Sequence, residues 1–285
     1  MTTASQKICL ITGANAGIGF ATAKGLLAEG FHVIVHARNK EKTEHTHQRL
    51  SGEFPEGLIT SVYADLSSFQ QIKEMVKQLD GSIDHLDVLI NNAGMLANSF
   101  RTTEEGFEMQ FGVNHLAPFL LTHLLLSRLQ QAPSARIINV SSDGHYRIKE
   151  RVDDWNASDN YSGFDAYCRS KLANVLFTHE LSRRLIGTSI TTNSLHPGVV
   201  NTGIGQKDGG FLGILWRLMR PFMVKPQKGA STSVYLATSV EVSDISGSYF
   251  DKSTSKAPSR LSRDEAFAKA LWDQSVRMTG INNAL

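Results

Sequence analysis

Short apolar runs alternate with longer amphipathic runs along most of the chain. Seven apolar runs rich in β-forming residues are each predicted to be a buried strand: residues 7–12, 31–37, 58–64, 86–90, 136–140, 189–195 and 247–250. Helices are predicted at residues 18–29, 41–50, 67–79, 103–129, 164–185, 227–238 and 263–278. This alternation, without a linker or repeat, predicts a single doubly wound α/β domain of Rossmann type over residues 1–285. We expect a mostly parallel seven-stranded sheet with helices on both faces.

Composition and charge exclude several classes of protein. The 285 residues are 41% hydrophobic and 20% charged, and the formal charge of +2 is too small to indicate a nucleic-acid partner. The two cysteines and ten histidines lack metal-ligand spacing, so we expect no disulfide framework and no metal site. Residues 1–7 do not resemble a signal or transit peptide, and no apolar stretch reaches bilayer length. We therefore expect a cytoplasmic protein without a transmembrane segment.

A glycine-rich turn follows the first predicted strand and precedes the first helix. Its sequence is Gly13-Ala-Asn15-Ala-Gly17-Ile18-Gly19. Glycines let a backbone turn sharply and approach a pyrophosphate, whose charge then lies at the helix N-terminus. The spacing departs from the usual G-x-G-x-x-G pattern, so a turn without a ligand is the alternative. We predict that this turn holds the phosphates of a dinucleotide.

The end of the second strand indicates which dinucleotide. NAD-binding folds place an acidic residue there for the ribose 2′-hydroxyl, whereas this chain has Ala37 followed by Arg38. A guanidinium pairs well with a 2′-phosphate, and no carboxylate at this position repels it. The sequence therefore favours NADP(H), the alternative being that Arg38 is an ordinary solvated charge.

Other polar residues follow predicted strands or interrupt a helix. Asp65-Leu66 follows the third strand, a suitable position for the adenine end of a dinucleotide, and Asn91-Asn92-Ala93-Gly94 follows the fourth. The amides of this second turn are expected both to stabilise it and to shape the cofactor site. In the helix 103–129, Pro118 cannot donate a hydrogen bond to the carbonyl of Asn114. That free acceptor is a suitable place for an ordered water.

Tyr167 and Lys171 lie four residues apart in the predicted helix 164–185. Side chains at this spacing share one helix face, so both can act on the same atom. A tyrosine has a pKa near 10, and a fixed positive charge beside it is expected to lower that pKa toward the working range. Taken alone the spacing is common, and a half-buried tyrosine beside a solvated lysine is the alternative.

Taken together, these motifs resemble the short-chain dehydrogenase/reductase family from about residue 7 to residue 280. The resemblance rests on motifs in the family's order: Thr12-Gly-x-x-x-Gly-Ile-Gly19, Asp65, Asn91–Gly94, Asn114, Ser142, Tyr167-x-x-x-Lys171 and Pro197-Gly198. Residues 114–122, 167–177, 196–202 and the pair Leu271-Trp272 resemble its retinol-dehydrogenase-like branch.

This resemblance implies hydride transfer between a nicotinamide and a carbonyl or alcohol carbon. Tyr167 would be the acid/base, Lys171 would bind the nicotinamide ribose, Ser142 rather than Ser141 would hold the substrate oxygen, and Asn114 would anchor a relay water. A homodimer or homotetramer is a further expectation from the family. The residues expected to bind NADP(H) are Gly13, Asn15, Gly17, Ile18, Gly19, Arg38, Asp65, Leu66, Asn92, Ala93, Gly94, Tyr167, Lys171, Pro197, Gly198, Val200 and Thr202.

The segment 203–225 combines glycines with many aromatic and aliphatic residues, concentrated at 211–224. It is predicted to form a lid over an apolar small-molecule substrate, because ligand pockets are mostly lined by apolar side chains. Packing on the core or on a partner subunit is the alternative. Two rival functions share the fold: a non-enzymatic NADP(H) sensor or scaffold, and an epimerase or double-bond reductase.

Overall fold

The computed structural model describes residues 6–156, 158–198 and 225–282, which form an α/β domain. Within these residues one sheet has eight strands in the order β3-β2-β1-β4-β5-β6-β7-β8. All neighbouring strands are parallel except β7 and β8. The strands are β1 (Ile8–Ile11), β2 (His32–Ala37), β3 (Ile59–Tyr63), β4 (Val88–Asn91), β5 (Ala135–Val140), β6 (Ile190–His196), β7 (Tyr249–Asp251) and β8 (Thr254–Ser255).

The fold class is confirmed, but the predicted count of seven strands is wrong. The additional strand, β8, has two residues and returns from β7 through Lys252 and Ser253, which have positive φ angles of 51° and 60°. Two residues are too short a run to show an alternating pattern, so the sequence gives no signal for this strand.

Helices pack on both faces of the sheet. They are α1 (Gly17–Ala28), α2 (Lys40–Glu53), α3 (Phe69–Lys77), α4 (Met109–Phe111), α5 (Ala117–Leu124), α6 (Leu126–Gln131), α7 (Gly163–Arg184), α8 (Pro226–Thr238) and α9 (Glu265–Thr279). A π-helix (Gly112–Leu116) joins α4 to α5, and a 3-10 turn (Asp143–Arg147) follows β5. Shorter 3-10 turns lie at Val240–Val242 and Leu261–Arg263. Side-chain caps begin α3 at Ser68 and α7 at Ser162.

The helix predicted at 103–129 is interrupted. It begins at Met109, after an antiparallel bridge between Thr102 and Glu108, and its second turn is the π-helix. Pro118 is the physical reason for the π-helix, because a proline has no N–H to donate to the carbonyl four residues earlier. The chain compensates one residue before it, where Ala117 N donates to the carbonyl of Gly112, five residues back. Insertions of this kind occur often at functional sites.

Two apolar layers cover the sheet and fix where the functional residues lie. One layer contains α5, α7 and α9, with Phe119, Phe177 and Trp272 in mutual contact. The other contains α1 and α8. The strand order reverses at β1, which pairs with both β2 and β4. In open α/β sheets, ligands bind in the crevice at the carboxyl ends of the strands where this reversal occurs.

Candidate active site

The turns that follow β1 and β4 are tied together at this crevice. Thr12 Oγ1 accepts hydrogen bonds from the backbone N–H groups of Asn92 and Ala93, each over 3.0 Å. Asn92 Nδ2 donates to the carbonyl of Thr12 over 2.7 Å. A side chain at Gly19 would overlap the carbonyl of Gly13 and would lie 2.5 Å from Asn92 Nδ2. The Asn92 side chain therefore holds the glycine-rich turn in place.

Backbone conformation explains two of the glycines in that turn. Gly13 and Gly17 have φ angles of +67° and +56°, in the left-handed region that favours glycine. Gly17 is also the first residue of α1, so the helix N-terminus faces the turn. These features fit the cradle for a dinucleotide pyrophosphate that the sequence predicts. Asn15 is partly exposed in the turn, whereas Ile18 is packed against Ala21 and Ala230.

His36, on β2, is a member of this site that the sequence reasoning missed. Its Nδ1 accepts from the backbone N–H of Gly13 over 3.1 Å, so Nε2 carries the proton and donates to the carbonyl of Ala64 over 3.0 Å. Burial lowers the pKa of His36 to about 4, which keeps this neutral arrangement at physiological pH. The run 31–37 is apolar except for His32 and His36, and a polar residue near the carboxyl end of the strand was the available signal.

Arg38 and Asp65 lie beside each other after β2 and β3. Arg38 Nε is 3.4 Å from Asp65 Oδ2, and the arginine side chain remains 57% exposed. Asp65 Oδ1 accepts from the backbone N–H and the hydroxyl of Ser67. Leu66, by contrast, is buried in the core. The exposed guanidinium is thus available to a 2′-phosphate, although it must share its position with a carboxylate.

The side chain of Asn114 connects the turn after β4 to α7. Its Oδ1 accepts from Met95 N over 2.8 Å, and its Nδ2 donates to the Met95 carbonyl and to Ser170 Oγ, each over 2.9 Å. A methyl group on Gly94 would lie 3.2 Å from Lys171 Nζ and 3.4 Å from Asn114 Oδ1. Both amide hydrogens are engaged, so a relay water at Asn114 would be held by the backbone carbonyl or by the second lone pair of Oδ1.

The two serines after β5 have different partners. Ser141 is buried, and its hydroxyl donates to the backbone carbonyl of Lys171 over 2.7 Å. Ser142 is partly exposed, and its Oγ accepts from Gly144 N over 3.1 Å. A methyl group on Gly144 would lie 3.6 Å from Ser142 Oγ and 3.7 Å from Tyr167 Cε1. Ser142 is therefore the serine that faces Tyr167.

Tyr167 and Lys171 lie on one face of α7, but the electrostatic expectation for this pair is wrong. Lys171 Nζ donates to the carbonyl of Val140 over 3.0 Å and lies 5.6 Å from the centroid of the Tyr167 ring. Burial raises the pKa of Tyr167 to about 12, against a smaller lowering by a hydrogen bond with Ser142. Burial also lowers the pKa of Lys171 to about 8. Desolvation therefore dominates over the expected effect of the lysine charge on the phenol.

His145 and His196 support the serine end of the site. His145 Nδ1 donates to the carbonyl of Ser142 over 2.7 Å, and its Nε2 accepts from the backbone N–H of Ser259. His196 Nδ1 accepts from the backbone N–H of Asp143 over 3.3 Å. Both rings thus hold the turn after β5 against neighbouring loops. Among the described residues, no group of three or more His, Cys, Asp or Glu side chains could hold a metal ion.

The remaining predicted residues lie after β6. Pro197 and Gly198 follow the strand directly, and Gly198 has a φ angle of +84°. Val200, Thr202 and the predicted lid, apart from Lys225, fall outside the described residues. None of the helices in the described ranges is long and apolar enough to cross a membrane.

The site therefore has two halves, both at the carboxyl ends of the parallel strands. One is formed by the turns after β1 and β4, where the predicted phosphate cradle lies, with Arg38 beyond it. The other brings a hydroxyl, a phenol and an ammonium to the ends of β5 and α7. The close packing of the glycine turn and the exposed guanidinium fit a phosphorylated dinucleotide, and the second half supplies groups that can hold and donate protons.

Comparison with known proteins agrees with this geometry. Residues 7–210 match the family described as short chain dehydrogenase. Retinol dehydrogenase 13 of Homo sapiens is 42% identical to this chain, over 96% of the chain and 85% of that protein. Retinol dehydrogenase 14 of Homo sapiens is 41% identical, over 96% of the chain and 87% of that protein. The crystal structure of an uncharacterized protein from Mycobacterium Paratuberculosis is similar, with a TM-score of 0.79, 32% identity and coverage of 98% and 96% of the two chains.

Proposed function

This chain belongs to the short-chain dehydrogenase/reductase family, in its retinol-dehydrogenase-like branch, and we propose that it transfers hydride between NADP(H) and the carbonyl or alcohol carbon of an apolar small molecule. Membership of the family makes it an oxidoreductase that uses a nicotinamide cofactor. The observation that carries the finer proposal is the position of Gly144. Ser142 Oγ and the Tyr167 ring both border the space beside this glycine.

Tyr167 is proposed as the proton donor in the direction of reduction. With a pKa raised by burial to about 12, its phenol holds its proton at neutral pH and can give it to a developing alkoxide. The Ser142 hydroxyl is proposed to donate to the same oxygen and to stabilise the charge that forms on it. A bound nicotinamide supplies the hydride. Lys171, only 3% exposed, is proposed to orient the cofactor ribose beside Tyr167.

The preference for NADP(H) is proposed from the exposed guanidinium of Arg38. A 2′-phosphate carries more negative charge than the Asp65 carboxylate and accepts two parallel hydrogen bonds from a guanidinium. Exposed ion pairs contribute only about 0–1 kcal/mol, so the contact between Arg38 and Asp65 is expected to yield to the phosphate.

The substrate is proposed to be a retinoid or another apolar aldehyde, ketone or alcohol, because similar proteins carry the name retinol dehydrogenase. The apolar composition of 211–224 supports the same choice. A cytoplasmic location and a homodimer or homotetramer stay predictions.

The proposed function is tested by following NADPH absorbance with a panel of retinoids, steroids, quinones and aliphatic aldehydes. We expect consumption with at least one apolar carbonyl compound, and much slower consumption with NADH. The Tyr167→Phe variant serves as the control, since it should bind NADPH without turnover. If the wild-type protein oxidises NADPH with no compound of the panel, the proposal fails and the sensor or scaffold function gains support.

A further inference from the structure

The π-helix contacts α7 at Ser170 and Asn174, which lie on either side of Lys171 in the sequence. Asn114 Nδ2 donates to Ser170 Oγ over 2.9 Å. The next residue, His115, contacts Asn174 on the following turn of the same helix. Two consecutive residues of an ordinary helix point about 100° apart, and here both reach one partner helix. Lys171 lies between the two contact points.

His115 is fully buried and forms part of a polar chain. Its Nε2 is 2.9 Å from Ser275 Oγ on α9. Burial lowers the pKa of His115 to about 3, while a hydrogen bond with Asn174 acts in the opposite direction. The ring is therefore neutral and carries one proton.

One assignment of that proton accounts for two atoms that otherwise lack partners. Apart from each other, His115 Nδ1 and Asn174 Oδ1 have no hydrogen-bond partner among the described residues, and both are buried. A proton on Nδ1 would donate to Asn174 Oδ1. Nε2 would then accept from the hydroxyl of Ser275, which in exchange gives up its bond to the Leu271 carbonyl one turn earlier on α9. Because an unpaired buried polar atom costs about 1–3 kcal/mol, this assignment is strongly favoured over two orphaned acceptors.

The amide nitrogen of Asn174 and the ammonium of Lys171 donate to the same backbone carbonyl. Asn174 Nδ2 donates to the carbonyl of Val140 over 3.3 Å, and Lys171 Nζ donates to the same oxygen over 3.0 Å. A carbonyl oxygen has two lone pairs and can accept both bonds. Both side chains are almost completely buried, with exposures of 2% and 3%. Val140 is the last residue of β5, directly before Ser141 and Ser142.

We propose that His115 and Asn174 are positioning residues that hold the Val140 carbonyl, and through it the Lys171 ammonium, in place for catalysis. The chain runs from Ser275 through His115 and Asn174 to that carbonyl. This series of contacts passes from α9 through the π-helix to α7 and ends at a backbone carbonyl of β5. The kinetic part of this proposal rests on the proposed function, whereas the titration of Lys171 does not. Two titratable groups face Lys171 in this arrangement: Tyr167 on its own helix, with its ring centroid 5.6 Å from Nζ, and His115, which is linked to it through Asn174.

The first test compares two buried polar contacts between β5 and α7. Asn174→Leu removes the amide at similar size. Thr178→Val is the matched control, because Thr178 Oγ1 accepts from Asn139 Nδ2 over 2.9 Å one turn further from the site. A misplaced catalytic group costs up to about 100-fold in rate. We therefore expect kcat to fall about 10- to 100-fold for Asn174→Leu and less than about 3-fold for Thr178→Val. Equal losses in the two variants would show a merely structural role and overturn the proposal.

A double-mutant cycle tests whether His115 acts through Asn174. His115→Phe suits the surrounding rings of Phe111, Phe119 and Phe177 while removing both ring nitrogens. Residues that act through one contact have non-additive effects. We expect the double variant with Asn174→Leu to be no slower than the Asn174→Leu variant alone. If the losses in kcat of the two single variants multiply in the double variant, His115 does not act through Asn174.

The second readout requires no substrate. Competitive labelling with acetic anhydride over a pH series, followed by mass spectrometry, gives the pKa of Lys171 in the cofactor-free protein. Asn174→Asp places a carboxylate near the ammonium and is expected to raise that pKa by at least about one unit, since a nearby opposite charge favours the charged form. An unchanged pKa in this variant would overturn the proposal. Where Asn174→Asp does not fold, the comparison of Asn174→Leu with Thr178→Val decides.

The two proposals fail separately. Wild-type protein that reduces no compound of the panel contradicts the proposed function, while the labelling experiment still tests the position of Lys171.

Discussion

The Ser141 hydroxyl donates to the Lys171 backbone carbonyl over 2.7 Å, and Lys171 Nζ donates over 3.0 Å to the carbonyl of the residue before Ser141. The end of β5 and the helix α7 are thus joined by two buried hydrogen bonds that run in opposite directions. This double contact sets the strand end so that the next residue, Ser142, faces Tyr167. Ser141 therefore fixes this part of the site, whereas Ser142 faces Tyr167.

The two serines are therefore expected to respond differently to removal of the hydroxyl. Ser141→Ala should lower the free energy of unfolding by about 1 kcal/mol, because it deletes a buried hydrogen bond, and should slow turnover less than about tenfold. Ser142→Ala should lower kcat about 100- to 1000-fold, as loss of an oxyanion donor does. Urea unfolding and steady-state kinetics on both variants measure the two effects. If Ser141→Ala is as slow as Ser142→Ala, the choice between the serines is wrong.

Removal of the Tyr167 hydroxyl should separate chemistry from cofactor binding. We expect Tyr167→Phe to lower kcat about 100- to 10,000-fold, which is the usual contribution of a positioned acid or base. The NADPH dissociation constant, measured by fluorescence titration, should stay within about threefold of the wild-type value. A variant that kept most of its turnover would require another proton donor.

The buried ammonium of Lys171 is expected to lower the free energy of unfolding at neutral pH. Its pKa is lowered by burial from 10.5 to about 8, so the unfolded chain binds more protons than the folded one between these pH values. Wild-type stability should therefore rise as pH increases from about 8 to 10.5. Lys171→Met removes this titration and should be more stable by about 1–3 kcal/mol at pH 7, an advantage that shrinks toward pH 10.5.

Urea unfolding of the ligand-free proteins at pH 7 and pH 10 measures that difference. Groups common to both proteins titrate alike and cancel. A Lys171→Met protein that is less stable at pH 7, or whose advantage grows with pH, would contradict the assignment of a destabilising buried ammonium.

Arg38 should determine the preference between the two nicotinamide cofactors. Charged hydrogen bonds contribute about 1.5–3 kcal/mol, so Arg38→Ala is expected to raise the KM for NADPH at least about tenfold. The KM for NADH should change less than about threefold. Equal effects on both cofactors would show that Arg38 does not recognise the 2′-phosphate.

Asp65 should act on the same preference in the opposite direction. Asp65→Asn keeps an acceptor for the Ser67 N–H but removes the negative charge next to Arg38. We expect a lower KM for NADPH and little change for NADH, measured with one substrate at saturation. If the KM for NADPH rises instead, the carboxylate itself contributes to cofactor binding.

The regular elements were largely predictable, because each leaves a local pattern. The strand around Leu10 and the helix around Leu172 consist of residues whose apolar spacing shows directly in the chain. The break near Pro118 was also visible, since a missing N–H is a property of one residue. The π-helix at this break was not, because its register depends on how the π-helix itself packs against α7.

The sequence by itself determined where most strands and helices lie along the chain, the position of the glycine turn, and the residue types available for chemistry. These depend on backbone freedom and apolar spacing, which are local. Only the tertiary structure showed how Ser142 is turned toward Tyr167, that His36 holds the glycine turn, and that Lys171 donates to Val140. It also reversed the expected pKa shift of Tyr167, because desolvation depends on everything packed around the phenol and not on its neighbour four residues away.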